Sequence, residues 1–296
     1  MNKMKLRFWG VRGSIPTPGP DTSYFGGNTS CIQVSTEGQD IVILDAGTGI
    51  RALGIDLLKN HPDKKKIHLL FSHTHWDHIQ GLPFFAPLYI PGYSIDIYGP
   101  VHYEKSLEEI LERQMEYTYF PVRVAELQAN ISYHEMKEES FELGDYKIKS
   151  KYLNHPVLCL GYRFEMNGSS FIYCTDHEPY YNFMEDEETE NEMNQIVEEQ
   201  NNRLTGFLNE TDLLVMDTQY KEEEYESHKG WGHSSTKHSL EIAIKSKVKR
   251  FALFHHDPDR TDKDEEGIIK ELQKHVDGSN SLKELFGARE GLIVEI

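Results

Sequence analysis

The stretch His73-Thr74-His75-Trp76-Asp77-His78 follows the apolar run Lys66–Phe71 and offers four potential metal ligands within six residues. Lys66–Phe71 has the composition of a strand, so the ligands lie on a loop that leaves a strand. The first two histidines alternate and can point to one side of an extended segment, while Asp77 and His78 follow as the chain turns into a helix. Imidazole and carboxylate together favour Zn²⁺ first, with Mn²⁺ or Fe as competitors. This segment therefore predicts a metal centre.

Outside this segment, apolar runs alternate between strand-like and helix-like spacing. Strand patterns cover Lys5–Trp9, Thr29–Thr36, Asp40–Asp45, Ser94–Tyr98, Tyr146–Leu153, Tyr162–Met166, Ser170–Cys174, Leu213–Asp217, Arg250–Phe254 and Gly291–Ile296. Helical patterns cover Ile50–Lys59, Tyr103–Tyr117, Ser235–Ser246 and Glu265–His275. Strands followed by helices, twice over, predict an α/β protein built as a four-layer αββα sandwich. We interpret residues 1–296 as a single domain with a solvated acidic helical insertion at about 178–208.

Composition limits the classes of partner. The net charge of −18 at pH 7 argues against a general basic surface for long nucleic acid, because such binding neutralises phosphates with Lys and Arg. A small anionic substrate stays compatible, since bound metal ions reverse the local charge. The three cysteines form an odd, widely spaced set that is typical of reduced thiols and favours the cytoplasm. The lack of a long apolar segment predicts a protein that neither spans a membrane nor is exported.

The pattern His-x-His-x-Asp-His after an apolar strand resembles the signature of the metallo-β-lactamase superfamily, and the resemblance extends along most of the chain. That family has three further ligands in order after strands, and this sequence offers His155, Asp176 and a final histidine in those places. The resemblance implies two divalent metals, one held by His73, His75 and His155 and the other by Asp77, His78 and the final histidine. Asp176 would bridge the two metals with a water or hydroxide. The resemblance also implies a homodimer.

His255 and His256 compete for the last ligand position. Similar subfamilies place the ligand directly after an apolar strand, so Phe251-Ala252-Leu253-Phe254 favours His255 and leaves His256 as a supporting residue. His177, next to Asp176, is interpreted as a surface or supporting histidine, and Asp45 as a residue that braces the metal loop.

Differences between this sequence and individual branches of the superfamily argue against two kinds of activity. Flavodiiron members carry Glu where this chain has His75, and antibiotic-hydrolysing members use Cys where it has Asp176, so neither a redox role nor β-lactam hydrolysis is expected. Gly232-His233-Ser234-Ser235 resembles the His-Ser-Thr element of the branch that includes ribonuclease Z and related cyclic-nucleotide phosphodiesterases. The histidine of that element lies over the scissile phosphate, so His233 is predicted to stabilise charge or protonate the leaving oxygen. The simpler alternative is an exposed histidine before a helix N-cap.

Substrate contacts are predicted from the opening of the chain and from aromatic side chains. The segments 8–14 and 26–30 also resemble this branch, which suggests contacts from Arg12 and Asn28. Four aromatic residues offer ring faces for a base, although a core or dimer contact explains each of them singly: Tyr117, Tyr119, Phe120 and Tyr220.

Together these observations predict a metal-dependent phosphodiesterase that acts on a small phosphodiester, with a 3′,5′-cyclic nucleotide as first choice, through a metal-bridging hydroxide. Asp77 would orient this nucleophile or accept its proton, and His233 would assist the departing alkoxide. The alternatives among enzymes are a ribonuclease Z-like RNA 3′-end endonuclease and a thioester or lactone hydrolase on the same fold. The acidic segment stands where tRNA-processing members commonly carry a protruding arm, which argues against tRNA. From another class, a metal-dependent binding or sensor protein without turnover fits the same residues.

Overall fold

Two seven-stranded sheets form the centre of the molecule. The computed structural model describes residues 3–182, 187–276 and 281–296. The first sheet has the order β14-β1-β2-β3-β4-β5-β6 and the second the order β13-β12-β11-β10-β9-β8-β7. The strands of the first sheet are β1 (Lys5–Gly10), β2 (Cys31–Ser35), β3 (Ile41–Leu44), β4 (Lys66–Leu70), β5 (Ser94–Pro100), β6 (Asn130–Met136) and β14 (Ile293–Glu295). Those of the second are β7 (Ser140–Leu143), β8 (Tyr146–Leu153), β9 (Cys159–Met166), β10 (Ser169–Cys174), β11 (Leu213–Asp217), β12 (Arg250–Phe254) and β13 (Glu284–Gly287).

Helices cover the outer faces of both sheets. They are α1 (Ile50–Asn60), α2 (Trp76–Ile79), α3 (Leu107–Arg113), α4 (Glu187–Leu208), α5 (Glu222–Tyr225), α6 (Thr236–Lys245) and α7 (Asp262–Val276). One apolar cluster packs α1 and α3 against the first sheet, and another packs the end of α4 with α6 and α7 against the second. A third cluster fills the space between the sheets. The predicted four-layer αββα fold is confirmed.

Alternation along the strands sorts side chains into these layers. Leu213 and Val215 of β11 point into the layer between the sheets, whereas Leu214 and Met216 point toward the helices. This period of two is what a strand buried on both faces requires. The burial of β11 on both faces explains why its sequence is a continuous apolar run.

The parallel parts of the two sheets determine where a site can form. In the first sheet β3, β4, β5 and β6 run parallel, and in the second β10, β11, β12 and β13 do so. Parallel strands end at the same edge of a sheet, and loops beyond their carboxyl ends are where α/β folds bind ligands. Most potential ligands of the sequence lie beyond β4, β10 and β12, at such ends, whereas His155 lies beyond β8, which pairs antiparallel with its neighbours.

Several elements differ from the predicted ones. β6, β7 and β13 were not predicted; β6 and β7 lie at the edges of their sheets and expose most of their side chains, so their apolar signal is weak. The predicted helix Tyr103–Tyr117 is confined to α3, because Ser106 forms a capping box with Glu109 that starts the helix at Leu107.

The acidic insertion also differs from the prediction. Residues 183–186 lie outside the described residues, and α4 ends not in solvent but with Leu204 and Leu208 buried against the second sheet. Glu178, at the start of the predicted insertion, is buried as well. Among the described residues, no helix is both long and apolar enough to cross a membrane. The three cysteines are buried free thiols. The single-domain interpretation stays a prediction.

Packing between the sheets generates the first testable expectation. Phe171 is fully buried in the cluster between the sheets, and its ring stacks on Phe164 with centroids 4.6 Å apart. Phe171→Ala should lower the free energy of unfolding by about 3–5 kcal/mol, because it removes buried apolar surface and leaves a cavity. Urea denaturation of this variant and of Ile293→Ala, which truncates a side chain 55% exposed on β14, provides the comparison. Equal stabilities of the two variants would contradict this account of the core.

Candidate metal centre

Loops beyond the strand ends bring histidines and carboxylates from distant parts of the chain into one buried cluster. A first group contains ligand-type atoms that all lie within 4.8 Å of one another, from His73, His75, His155 and Asp176. A second group with the same property comprises Asp77, His78, Asp176 and His255. Asp176 belongs to both groups. The structure therefore brings together all seven residues for which a metal role was predicted.

Asp176 lies between the two groups with one carboxylate oxygen toward each. Its Oδ2 lies 3.5 Å from His73 Nε2 and 3.9 Å from His155 Nε2. Its Oδ1 lies 3.2 Å from His78 Nε2 and 3.3 Å from His255 Nε2. If cations were bound by the two groups, Asp176 would offer one carboxylate oxygen to each.

Hydrogen bonds on the far side of three of the imidazoles orient their rings. His78 Nδ1 contacts Asp45 Oδ2 at 2.8 Å, His155 Nδ1 contacts the Gly232 carbonyl at 2.9 Å, and His255 Nδ1 contacts Gln219 Oε1 at 2.9 Å. Since all three partners are acceptors, Nδ1 carries the proton and Nε2 presents a lone pair to the centre. Such outer contacts are typical of metal-ligating histidines.

Asp45 braces the loop that carries the His73–His78 segment, as predicted from the sequence. Its carboxylate accepts hydrogen bonds from the Ser72 backbone N–H at 2.7 Å, from the Ser72 hydroxyl at 2.8 Å and from the Tyr173 hydroxyl at 2.7 Å. Tyr173 belongs to the second sheet and Ser72 to the end of the first. One buried carboxylate thus ties both sheets to the candidate ligand loop.

Several histidine nitrogens point their lone pairs into the cluster, an arrangement that suits binding of a cation. His78 Nε2 and His255 Nε2 lie 3.3 Å apart, and the acceptors on Nδ1 leave neither with a hydrogen to donate to the other. His73 Nε2 is buried without a hydrogen-bond partner. Unpaired buried lone pairs are costly unless something positive lies between them. The donor set, imidazole nitrogen and carboxylate oxygen, suits Zn²⁺ and related divalent ions.

The pKa shifts of His73, His155 and Asp77 have the direction that metal ligands need. Burial, and next the charge of His78, lower the pKa of His73 well below its usual value, and burial lowers the pKa of His155 to about 4. Burial opposes ionisation of Asp77, but its interactions with His78 and His255 outweigh burial and lower the pKa of this carboxyl. Neutral imidazole and ionised carboxylate are the forms that bind metal. For His78, nearby carboxylates outweigh burial and raise the pKa, so this position attracts positive charge.

Backbone strain is concentrated at the same strand ends. Asp45, Asp176 and His255 have φ values of 59°, 50° and 60°, in the left-handed region that non-glycine residues rarely adopt. Asp45 and His255 directly follow β3 and β12, and Asp176 lies two residues beyond β10, where the chain must turn so that the side chain faces the cluster. Strained conformations of this kind persist where surrounding contacts enforce them.

His233 lies beside the cluster and is paired with a carboxylate that the sequence reasoning missed. Its Nδ1 lies 2.6 Å from Asp217 Oδ2 and 3.9 Å from Asp176 Oδ2, and its ring stacks on His255 with centroids 5.0 Å apart. Burial lowers the pKa of His233, but the charge of Asp217 and their hydrogen bond outweigh it and raise the pKa to about 9. The His233 side chain is only 11% exposed, so the alternative of an exposed residue before an N-cap is wrong. Asp217 is the last residue of the buried strand β11, so it carries a signal similar to that of the other residues at strand ends.

Arg12 and Asn28, which were predicted to contact substrate, instead form hydrogen bonds within the protein. Arg12 is fully buried, and its guanidinium donates to the carbonyls of Gly26, Asp257 and Arg260 at 2.9 Å. Asn28 pairs through its side chain with Glu290 at 3.0 Å. The expectation that Arg12 reaches a substrate phosphate is corrected, because its guanidinium is used inside the protein to join chain segments. Asn28 is likewise engaged by the protein.

The remaining histidines and aromatic residues have separate surroundings. His177 is buried and accepts from the Asn154 backbone N–H at 3.2 Å, so it supports the segment before His155 and is not on the surface. Tyr220 is buried and contacts His233 edge-on, with centroids 5.9 Å apart. Tyr117 pairs with Glu126 and Phe120 packs on Phe84, whereas Tyr119 is 75% exposed.

Comparison with known proteins identifies the family. Residues 41–256 match the model described as the beta-lactamase superfamily domain, which is more than half of the chain. This chain belongs to the beta-lactamase superfamily. Membership implies divalent metal ions and supports a metal-dependent hydrolase, and the first and second groups described above are the candidate binding residues.

Proteins similar in sequence to this beta-lactamase superfamily member include ribonucleases. The chain is 24% identical to ribonuclease Z of Picrophilus torridus, covering 85% of both chains. It is 22% identical to ribonuclease BN of Proteus mirabilis, covering 85% of this chain and 88% of the relative. Both matches extend over most of each protein.

Solved structures share the fold. A diphosphatase of the PhnP family is 21% identical, with a TM-score of 0.67 and coverage of 99% of this chain and 98% of that one. Yeast PDE1 is 12% identical, with a TM-score of 0.70 and full coverage of both chains. Human tRNase Z, short form, is 19% identical, with a TM-score of 0.62 and 98% coverage of both.

His255 and His256 differ in their surroundings, which bears on the choice of the last ligand. His255 Nε2 lies 3.1 Å from Asp77 Oδ2 within the second group. His256 Nε2 lies 2.8 Å from the Ala288 carbonyl, and its Nδ1 lies 3.3 Å from the buried Glu265 carboxylate, so it faces another part of the interior. This geometry favours His255 as the ligand.

Substituting each histidine separately tests this assignment. His255→Ala should lower bound zinc from about two ions per chain to about one, because a zinc site needs three or four protein ligands. His256→Ala should keep both ions but lower the unfolding midpoint, because it leaves the Glu265 carboxylate without its histidine neighbour. Elemental analysis of reconstituted protein and thermal unfolding measure the two effects. The reverse pattern would move the ligand role to His256.

Proposed function

We propose that this protein is a two-metal phosphodiesterase that hydrolyses a small phosphodiester, with a 3′,5′-cyclic nucleotide as the first substrate to test. The observation that carries the proposal is the pair His233–Asp217 beside the His/Asp cluster, with His233 Nδ1 2.6 Å from Asp217 and 3.9 Å from Asp176. A phosphodiester bond to an alcohol breaks readily only if the departing oxygen receives a proton. A histidine held by a carboxylate at the edge of a metal centre supplies one.

The proposed ligands are His73, His75 and His155 for one metal and Asp77, His78 and His255 for the other, with Asp176 between them. When bound, two divalent cations supply Lewis acidity that activates water and neutralises charge on the phosphoryl oxygens. Asp77 is tied down by the Ser14 backbone N–H at 2.8 Å from its Oδ2. We assign Asp77 the task of orienting the attacking water or accepting its proton.

The chain's own groups complete the reaction. The water oxygen forms a bond to phosphorus, the bond from phosphorus to the ester oxygen breaks, and His233 transfers its proton to that oxygen. Asp217 holds the His233 ring by Nδ1, so Nε2 is the nitrogen left for proton transfer. The Asp217 carboxylate also stabilises the charged imidazolium before transfer. The products are an alcohol and a phosphomonoester, or a ring-opened monophosphate from a cyclic nucleotide.

A second candidate is an RNA 3′-end endonuclease. The names of the relatives, ribonuclease Z and ribonuclease BN, favour it. The net charge of −18 argues against it, because RNA binding relies on neutralising phosphates.

Variants of His233 test the proposal through the basicity of the leaving group. His233→Ala in the zinc- or manganese-loaded protein should lower kcat on 3′,5′-cyclic nucleotides by about 10²- to 10⁴-fold, the usual contribution of a general acid. The loss should be much smaller on bis(4-nitrophenyl) phosphate, since nitrophenolate departs without a proton. His61→Ala, an exposed histidine at the end of α1, is the control and should keep full activity.

A substrate panel separates the candidates. Steady-state rates are measured on cyclic mononucleotides, cyclic dinucleotides, linear diesters, a thioester and a precursor tRNA. An equal loss of kcat in His233→Ala on cyclic nucleotides and on bis(4-nitrophenyl) phosphate would show that His233 has a structural role and is not the proton donor. Faster cleavage of the precursor tRNA than of the small diesters would establish the RNA endonuclease. Cleavage of the thioester alone would show that the protein is a thioester hydrolase and not a phosphodiesterase. A protein that binds metal but cleaves nothing in the panel would be a binding or sensor protein.

A further inference from the structure

A cavity of about 630 Å³ lies beside the metal centre, and His155 forms part of its wall. His155 Nε2 is also 3.0 Å from His75 Nδ1 within the first metal group. Gly230 lines the same cavity, three residues before His233. A molecule in the cavity therefore contacts one candidate ligand, His155, and the loop that leads to the proposed proton donor.

One wall of the cavity is a stripe along helix α4. Met193, Ile196, Val197 and Gln200 all line it, at the spacing that places side chains on one face of a helix. The end of α4 is anchored by Leu204 and Leu208 in the core, whereas Ile196 is 50% exposed. The earlier turns of the helix thus present apolar side chains to the cavity instead of to the core. Such exposed apolar surface beside a reactive centre is typical of a binding site.

The facing wall is aromatic. Tyr180 and Tyr181 line the cavity, and Lys229 Nζ lies 4.4 Å from the centre of the Tyr181 ring. The Glu178 carboxylate also borders the cavity, but its two oxygens accept from the backbone N–H groups of Gly230 at 2.7 Å and Gly232 at 3.0 Å. The negative charge of Glu178 is therefore engaged in holding the loop that leads to His233.

We infer that this cavity binds the nucleoside of the substrate, while the phosphate lies at the metal centre. The inference rests on the proposed function and adds its substrate class. A flat ring fits between a tyrosine wall and an aliphatic helix face, because it contacts both through dispersion and apolar burial. The cavity volume falls within the range of small-molecule sites, and its side at His155 places an attached phosphate next to the ligands.

A neutral polar substitution on the α4 stripe tests the inference through binding alone. Ile196→Asn should weaken binding of thymidine 5′-monophosphate to the zinc-loaded protein about tenfold, because the ring loses an apolar contact and meets a polar group. Inorganic phosphate should bind the variant as it binds the unmodified protein. Ile55→Asn on α1 is a matched control, since Ile55 is 49% exposed and does not line the cavity. Isothermal titration calorimetry measures all of these affinities.

Turnover provides a second readout with a common leaving group. Thymidine 5′-(4-nitrophenyl phosphate) and methyl 4-nitrophenyl phosphate differ only in the retained ester group. Ile196→Asn should raise KM for the thymidine ester about tenfold and leave the methyl ester unchanged. Tyr181→Ala, from the facing wall, should act in the same direction and replaces Ile196→Asn if that variant does not fold.

The outcomes separate the two levels of the proposal. If the unmodified protein cleaves no diester but Ile196→Asn weakens nucleotide binding selectively, the cavity assignment holds and the proposed function fails. If diesters are cleaved while both variants bind nucleotide and phosphate like the Ile55→Asn control, the cavity assignment is overturned and the proposed function survives. Equal weakening for nucleotide and phosphate would also overturn it, because the change would then act on the metal centre.

Discussion

Buried imidazoles and carboxylates facing one another impose the constraint on which the rest of this structure depends. His78 Nε2 and His255 Nε2 approach to 3.3 Å while their other nitrogens are held by acceptors. Such a cluster is unfavourable in a protein interior unless positive charge is placed among its atoms. The acceptors around it, above all Asp45 and Gln219, fix ring orientations and so favour binding of cations over collapse of the cluster.

The fold meets this constraint by ending parallel strands from two sheets at one place. Asp45 follows β3, the His73–His78 segment follows β4, Asp176 follows β10 and His255 follows β12. Three of these positions adopt left-handed backbone conformations, which the dense contacts around them must enforce. Direct contacts between the sheets, such as the Tyr162 hydroxyl donating to the Phe71 carbonyl at 2.7 Å, keep the two sets of strand ends in register. Stability of the sandwich and geometry of the centre are therefore linked.

Selectivity lies outside the ligands. The same set of histidines and aspartates would serve several hydrolytic reactions, because it determines how water is activated and not which molecule is held. The loop held by Glu178 and the apolar stripe of α4 lie next to His155, where we propose that the nucleoside binds. The acidic composition of α4 predicts a solvated helix, yet one face of this helix lines the cavity beside His155. The overall composition of the segment therefore does not indicate this apolar face.

The sequence by itself indicated the α/β class and most of the strands, because the spacing of apolar residues is a local signal. It also showed the local His73–His78 segment, and the family resemblance then implied His155, Asp176 and His255, which the structure brings to the same cluster. It missed β6, β7 and β13, whose exposed or short strands give a weak apolar signal. It placed Arg12 at the substrate, although the guanidinium is consumed by three carbonyls. Asp217 and Glu178 were overlooked because their partners, His233 and the backbone of residues 230–232, lie 16 to 54 positions away along the chain. Only the tertiary structure decided these points, since the hydrogen-bond partner of a buried charge is set by packing between segments and not by its neighbours in sequence.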